Sequence, residues 1–346
     1  MRSIQPRRLA PTGFTQRVIL PRRLAAERFT PQSLQLLWLA STFLFAHAAA
    51  AQPSLDTLWP NRDGTRWTYQ ISVTDAVFPA QSFVAEATLQ FSGEIMTAGG
   101  MAQVLLGAHP VPAGKAPAVA LDPVRSGKAP AVAIDPLLDR LWRARPDLRA
   151  AIVARLGPAA NGGTTGWYPL LLHYGYFMKG AANIQMWQPD IDHPTWTYLT
   201  SNLLVGAQFT QQLIPELAID VFLHGTVEAV DASVQTEARR FDTAVRMGYV
   251  IDYGWTTPVD DAGNPHGRIR SETRGHVHFV PGVGPVEMLE EFIRIAEFQC
   301  DATGCPPPSD TDELGLVQVT IRLSLTASTV AVQQRTWSEV KSLFRN

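Results

Sequence analysis

The amino-acid sequence predicts a mainly β protein, folded as an antiparallel sandwich or an open barrel with an inserted helical hairpin. Apolar and polar residues alternate along several stretches, with the period of two expected of a strand that has one buried face. The 25 glycines and 26 prolines punctuate these stretches, as turn residues do. Because 46% of the 346 residues are hydrophobic, the composition excludes wholesale disorder.

Strand patterns begin early in the chain. Every second residue of 67–73 is apolar, and the turn before this run contains Gly64. A second alternating run covers 83–95, and the two glycines after it predict a hairpin into a third strand at 101–106. We expect these strands to pair with one another.

Residues 108–163 interrupt the strand pattern. The segment 114–123 returns at 127–136 with nine of ten positions identical, and two copies are too few for a solenoid. Its Pro, Ala and Gly content favours a duplicated flexible loop, with a docking motif for a partner as the alternative. Pro136 and Pro146 occupy the expected first positions of two helices, which predicts the helical hairpin.

The most regular strand patterns lie toward the end of the chain. Residues 245–253 and 317–325 alternate almost throughout, and 292–298 form another apolar run. The pattern of 317–325 predicts a sheet with one face in solvent. We therefore expect one antiparallel β domain over residues 52–346, interrupted by the insertion at 108–163.

Residues 1–51 have the composition of a secretory signal peptide. They carry seven arginines and one acid, and a 13-residue apolar run ends in small residues before Ala51. Such a run spans about 20 Å, which is too short for the hydrocarbon core of a membrane, so we expect no transmembrane anchor. Cleavage near Ala51 would leave a periplasmic or extracellular protein; a mitochondrial transit peptide is the alternative.

Removal of this segment changes the net charge of the protein. The full chain has a formal net charge of −2, whereas residues 52–346 contain 22 basic and 30 acidic residues, a net charge of −8. An acidic protein repels phosphate groups, so the charge excludes a nucleic acid partner and disfavours binding to anionic membranes.

Cys300 and Cys305 are the two cysteines of the chain. In an exported protein, this spacing predicts a local disulfide that stiffens a loop. A redox-active pair is the alternative, although such pairs usually have two intervening residues at the start of a helix.

Two phrases carry a family resemblance. Residues 59–69 read W-P-x-x-x-G-x-x-W-T-Y, and residues 281–286 read P-G-V-G-x-V. Together they resemble a loose family of exported bacterial β-sheet proteins of unknown function, although the family's P-A-G-x-F turn is degraded to E-A-R-R-F at 237–241. The resemblance implies an antiparallel β fold and an exported location, and it implies no activity, cofactor or catalytic residue.

Trp67 and Tyr69, in the first phrase, are two large rings on one face of a predicted strand. We interpret them as core residues, because a glycine turn followed by a Trp-x-Tyr strand buries both rings. A site for an apolar ligand is the alternative interpretation.

His276 and His278 are the best candidates for metal ligands. A strand places residues two apart on the same face at a separation of about 6.6 Å, a spacing that some zinc sites use. A third ligand would come from elsewhere, for example His266 or Asp252. The alternative is a polar surface in solvent, with the residues between the histidines facing inward.

Other catalytic signals are weak or missing. The sequence contains no nucleophile elbow, no H-E-x-x-H and no phosphate-binding loop. The acidic segments 190–193 and 310–313 could serve acid–base chemistry and calcium binding respectively, but solvated loops explain both more simply.

Two functions follow from these observations. The leading hypothesis is a non-enzymatic exported β protein, without a cofactor, that binds an apolar ligand, a lipid or a protein partner in the cell envelope. The alternative is a secreted metal-dependent hydrolase that uses His276 and His278. The missing catalytic phrases and the predicted disulfide favour the first hypothesis.

Overall fold

The described residues form one antiparallel sheet of twelve strands, preceded by a short helix. The computed structural model describes residues 53–107, 140–141, 143–145, 170, 175–187, 193–213, 220–257, 267–300 and 315–330. The elements are α1 (Leu55–Leu58), β1 (Arg66–Asp75), β2 (Phe83–Thr97), β3 (Gly100–Gly107), β4 (Gly175–Lys179), β5 (Asn183–Trp187), β6 (Trp196–Thr200), β7 (Gln208–Gln212), β8 (Phe222–Gln235), β9 (Arg240–Thr256), β10 (Gly267–Val280), β11 (Gly284–Gln299) and β12 (Leu316–Thr329). The prediction of a mainly β protein is confirmed.

The sheet has a simple meandering topology. Its strand order is β6-β5-β4-β3-β2-β1-β12-β11-β10-β9-β8-β7, so the first and last strands pair in the middle. The edge strands β6 and β7 approach each other, and the sheet curls into a nearly closed barrel. A single curled sheet corresponds to the expected open barrel and not to a sandwich of two sheets.

The described residues do not support the inserted helical hairpin. Within 108–163 the structure describes residues 140, 141 and 143–145, and they make a single helical turn. Leu141 and Ala144 in this turn are buried in the core, so the apolar residues that predicted a helix here are core residues. The repeat and the second predicted helix lie outside the described residues.

Aromatic rings fill one part of the barrel interior. The ring of Trp59, just after α1, lies 5.7 Å from that of Trp67, 5.2 Å from that of Phe177 and 5.5 Å from that of Tyr198. All four side chains are almost completely buried. This cluster ties the start of the domain to β1, β4 and β6, which lie in the same half of the sheet.

The hairpin of β8 and β9 is long, and its tip reaches β12. There the N–H of Glu237 donates to Oγ of Ser324 at 2.9 Å, and the N–H of Ala238 donates to the carbonyl of Leu325 at 2.8 Å. Ser324 lies opposite Glu287 in the β11–β12 register. The hairpin therefore covers part of the outer face, which we define as the face of β9–β12 opposite the core.

No helix among the described residues is long and apolar enough to cross a membrane. The predicted signal peptide, residues 1–51, lies outside the described residues, and its cleavage stays a prediction.

Candidate metal site

Three potential metal ligands converge on the outer face. His276 and His278 lie on β10, and Glu287 lies on β11 directly opposite His278. The side chains between them, Val277 and Met288, point into the core. One ligand atom from each of the two histidines and the glutamate lies within 4.8 Å of the others.

The geometry of the cluster centres on one carboxylate oxygen. Oε2 of Glu287 is 2.8 Å from Nδ1 of His278 and 3.8 Å from Nε2 of His276. The side chains of His276, His278 and Glu287 are only 16%, 8% and 11% exposed. The contact of Nδ1 of His278 with Oε2 of Glu287 brings two potential ligand atoms together in a largely buried place. Imidazole nitrogens and carboxylate oxygens are both ligands of transition-metal ions.

Glu287 is held in the charged form that a metal requires. Burial on its own would raise the pKa of its carboxyl, but the adjacent imidazoles of His276 and His278 outweigh burial and hold this pKa well below its ordinary value. Nη2 of Arg322 lies 3.3 Å from the other oxygen, Oε1. Arg322 thereby orients the carboxylate and leaves Oε2 facing the histidines.

A second layer of side chains surrounds His276. Nη2 of Arg246 lies 3.3 Å from Nδ1 of His276, and Nε of Arg246 lies 2.6 Å from Oε2 of Glu228. Gly248 is the residue opposite His276 in the β9–β10 register. A Cβ at Gly248 would lie 2.2 Å from Oε1 of Glu228, so the missing side chain makes room for this carboxylate.

A cavity of about 300 Å³ adjoins the cluster. Its lining includes Glu228, Gly248, Arg274, His276 and Leu289. The cluster is therefore open to solvent on the His276 side, whereas the tip of the β8–β9 hairpin contacts the sheet on the Glu287 side.

The ligand set fits a borderline transition-metal ion. Two imidazole nitrogens and one carboxylate suit zinc and its neighbours, and three protein ligands leave at least one coordination position open. Open sites of this composition bind water or a further ligand, whereas closed structural zinc sites have four protein ligands.

The suggested third ligands are not part of the cluster. Asp252 pairs with Glu272, four residues from His276 along β10, and its carboxylate is bound by Arg270 at 2.6 Å. His266 lies outside the described residues. Glu287 takes this position, because the tight turn between β10 and β11 folds it back against His278. Counting outward from that turn pairs His278 with Val286, because the register shifts by one residue between His278 and Phe279, so the sequence alone does not identify Glu287.

Trp67 and Tyr69 are completely buried. Nε1 of Trp67 donates to the carbonyl of Val283 at 2.7 Å, and the hydroxyl of Tyr69 donates to the carbonyl of Pro285 at 2.8 Å. Both polar atoms therefore bind the second family phrase, and the two phrases hold each other in place. Their predicted role in ligand binding has no support from this geometry.

The remaining predicted residues are only partly described. Cys300 follows β11, but Cys305 lies outside the described residues, so their disulfide stays a prediction. Segment 310–313 also lies outside them, as does 190–192. His193, which is described, contacts the carbonyl of Pro194 at 3.2 Å.

Comparisons with known proteins give little further information. No protein-family model matches the chain, and no curated protein does. Two solved structures are similar at 10% sequence identity. One, from Bacteroides fragilis, is described as exported with a YMCC-like fold; 79% of this chain and 99% of that chain are covered, at a TM-score of 0.33. The other, from Parabacteroides distasonis, is described as a lipoprotein; the coverages are 79% and 98%, at a TM-score of 0.28. Scores this low carry no conclusion about function.

Proposed function

We propose that this chain is an exported protein that binds a divalent transition-metal ion, best zinc, through His276, His278 and Glu287. The observation that carries the proposal is the convergence of three ligand atoms within 4.8 Å on a largely buried part of the outer face. The signal-peptide composition of residues 1–51 supports the exported location. The proposal combines the binding role of the leading hypothesis with the two histidines of the alternative hypothesis.

The apolar ligand and the lipid of the leading hypothesis have less support. The aromatic residues that could line an apolar site, Trp67 and Tyr69, are packed in the core with their polar atoms bonded. A protein partner in the cell envelope stays a separate prediction.

A metal-dependent hydrolase is the second candidate. The open coordination position and the neighbouring cavity of about 300 Å³ favour it, because catalytic zinc sites keep a position for water. If it is correct, the zinc-loaded protein hydrolyses activated esters such as p-nitrophenyl acetate, and Glu287→Gln abolishes this activity. Binding without turnover leaves the first proposal in place and removes the second.

Zinc binding by the purified mature protein tests the proposal. We expect about one zinc ion per chain by equilibrium dialysis with elemental analysis, after removal of any affinity tag. His278→Ala and Glu287→Gln each weaken binding by at least about 100-fold, because each removes a ligand. The matched control is His193→Ala, which leaves binding unchanged, because His193 contacts the carbonyl of Pro194 at 3.2 Å and does not line the cavity beside His276. Binding that survives both ligand variants, or that depends on His193, contradicts the proposal.

A further inference from the structure

We propose that Arg246 and Glu228 form a gate on the metal site. Arg246 stabilises the tautomer of His276 that cannot bind metal through Nε2, and Glu228 controls the release of Arg246 from His276. This inference rests on the proposed metal-binding function and names the regulation of that same site. Arg246 and Glu228 are positioning residues, since they act through His276.

The contact between Arg246 and His276 determines the tautomer. An arginine guanidinium has only donors, so Nδ1 of His276 must accept the hydrogen bond from Nη2 at 3.3 Å. A neutral imidazole that accepts at Nδ1 carries its proton on Nε2. The N–H at Nε2 therefore faces Oε2 of Glu287, 3.8 Å away.

Metal binding at Nε2 requires the opposite tautomer. The nitrogen that binds the ion must present a lone pair, so the proton leaves Nε2 for solvent and Nδ1 takes one up, with no net change in protonation. Nδ1 then becomes a donor, and two donors cannot share a hydrogen bond. Arg246 must leave Nδ1 before the metal–nitrogen bond can form.

Glu228 is placed to complete this exchange. Its Oε2 already holds Nε of Arg246 at 2.6 Å, and its side chain lies over Gly248, opposite His276. The side chains of Arg246 and Glu228 are 41% and 40% exposed, so both can move. Once Arg246 withdraws, the carboxylate of Glu228 can accept the proton of Nδ1, the usual arrangement around a histidine bound to a metal.

The two residues should therefore change zinc affinity in opposite directions. Arg246→Met removes the competing donor and a positive charge, and we expect about 10-fold tighter binding. Glu228→Gln frees Arg246 to stay on His276 and removes the acceptor for Nδ1, and we expect about 10-fold weaker binding. A purely structural ion pair predicts the same direction for both substitutions, because either one breaks it.

The matched control is Arg274→Met. Arg274 lines the same cavity and is 49% exposed, but it pairs with Glu272 instead of the nitrogen of His276. Its removal changes the local charge by the same amount and should leave the tautomer of His276 unaltered. The comparison of Arg246→Met with Arg274→Met therefore separates the hydrogen bond from the charge.

The deciding experiment is a long-range ¹H–¹⁵N NMR spectrum of the histidine rings at about pH 8, where an unperturbed imidazole is neutral. We expect His276 to carry its proton on Nε2 in the free wild-type protein and on Nδ1 after addition of zinc sulfate. In Arg246→Met, the preference for Nε2 should be lost before zinc is added.

The outcomes separate the gate from the metal site. Zinc binding by a protein whose His276 already carries its proton on Nδ1 overturns the gate alone, as does equal zinc affinity in Arg246→Met and Arg274→Met. Failure of the wild-type protein to bind zinc overturns the proposed function, and the gate with it.

Discussion

Glu287 and Glu290 lie three residues apart on β11, so they point to opposite faces of the same sheet. Both are largely buried. Glu290 lies inside the barrel in a network of fully buried partners, whereas Glu287 lies outside among partly exposed ones. The difference shows which buried carboxylate serves structure and which can serve binding.

The inner carboxylate has a donor on each oxygen. Nη2 of Arg140 lies 2.7 Å from Oε1, and Oε2 accepts from the hydroxyl of Tyr249 at 3.0 Å and the N–H of Leu170 at 2.9 Å. The side chains of Arg140 and Glu290 are 0% and 1% exposed. A charge pair desolvated to this degree is costly to break, and nothing from solvent can replace either partner.

The outer carboxylate has exchangeable partners instead. His276 and His278 can bind a metal ion as well as a carboxylate, and Arg322 is half exposed. A cluster with a half-exposed partner and with imidazoles that can also bind metal can exchange its contacts for an ion. We infer that the exchangeability of the partners, more than burial, distinguishes the two sites.

The largest expected effect is the loss of stability in Glu290→Gln. It leaves the charge of Arg140 buried without its counter-ion, so the free energy of unfolding should fall by about 3–5 kcal/mol in urea denaturation with chelator present. Glu287→Gln, the matched outer variant, should cost less than Glu290→Gln, because its partner Arg322 is half exposed and solvent can solvate the guanidinium that is left. Equal losses for the two variants would remove the distinction between the faces.

Two glycines extend the comparison to packing. A Cβ at Gly275, on the inner face, would lie 2.5 Å from the hydroxyl of Tyr249 and 2.7 Å from the carbonyl of Leu289. Gly275→Ala should destabilise the protein by about 2 kcal/mol, because a backbone atom cannot move aside. Gly248→Ala meets mainly the flexible side chain of Glu228 and should cost less than about 1 kcal/mol, measured by the same urea denaturation. The reverse order would contradict the packing described here.

The hairpin tip should contribute less to stability. Ser324→Ala removes the acceptor for the N–H of Glu237 and should cost about 1 kcal/mol. Hydrogen–deuterium exchange should accelerate at residues 236–239, whereas Ser328→Ala, at an exposed position of the same strand, should change neither quantity. Unchanged exchange in Ser324→Ala would show that other contacts hold the tip.

The last prediction concerns the dependence of stability on alkaline pH, through Tyr249 on the inner face. Burial raises the pKa of its phenol well above the ordinary value, and the charge of Glu290 adds to this. Because the folded-state pKa is raised, the stability from this group is complete below about pH 10 and is lost as pH rises through the folded-state pKa. Tyr249→Phe should therefore make stability less dependent on pH above about 10, as followed by phenolate absorbance and circular dichroism. An unaltered alkaline profile would contradict this.

The barrel could be predicted largely from local patterns. The alternation of 67–73, 245–253 and 317–325 identified β1, β9 and β12, because a strand with one face in the core needs that period. The helical hairpin was expected from apolar residues at helical spacing after two prolines, whereas the described part of 108–163 contains a single helical turn at 140–144, which does not support a hairpin.

The candidate site could be predicted only in part. His276 and His278 share a face because they are two residues apart on one strand, which is a local property. Glu287 depends on strand pairing, and the register shift between His278 and Phe279 moves that pairing by a residue. Arg246 and Glu228 come from two further strands, which one sequence cannot order.

Anomalous diffraction at the zinc absorption edge from crystals of the zinc-loaded protein tests the central claim most directly. We predict one strong peak bounded by His276, His278 and Glu287, with metal–nitrogen distances of about 2.0–2.1 Å. A peak elsewhere, or none in crystals that contain zinc in the mother liquor, would contradict the claim that the outer cluster is a metal site.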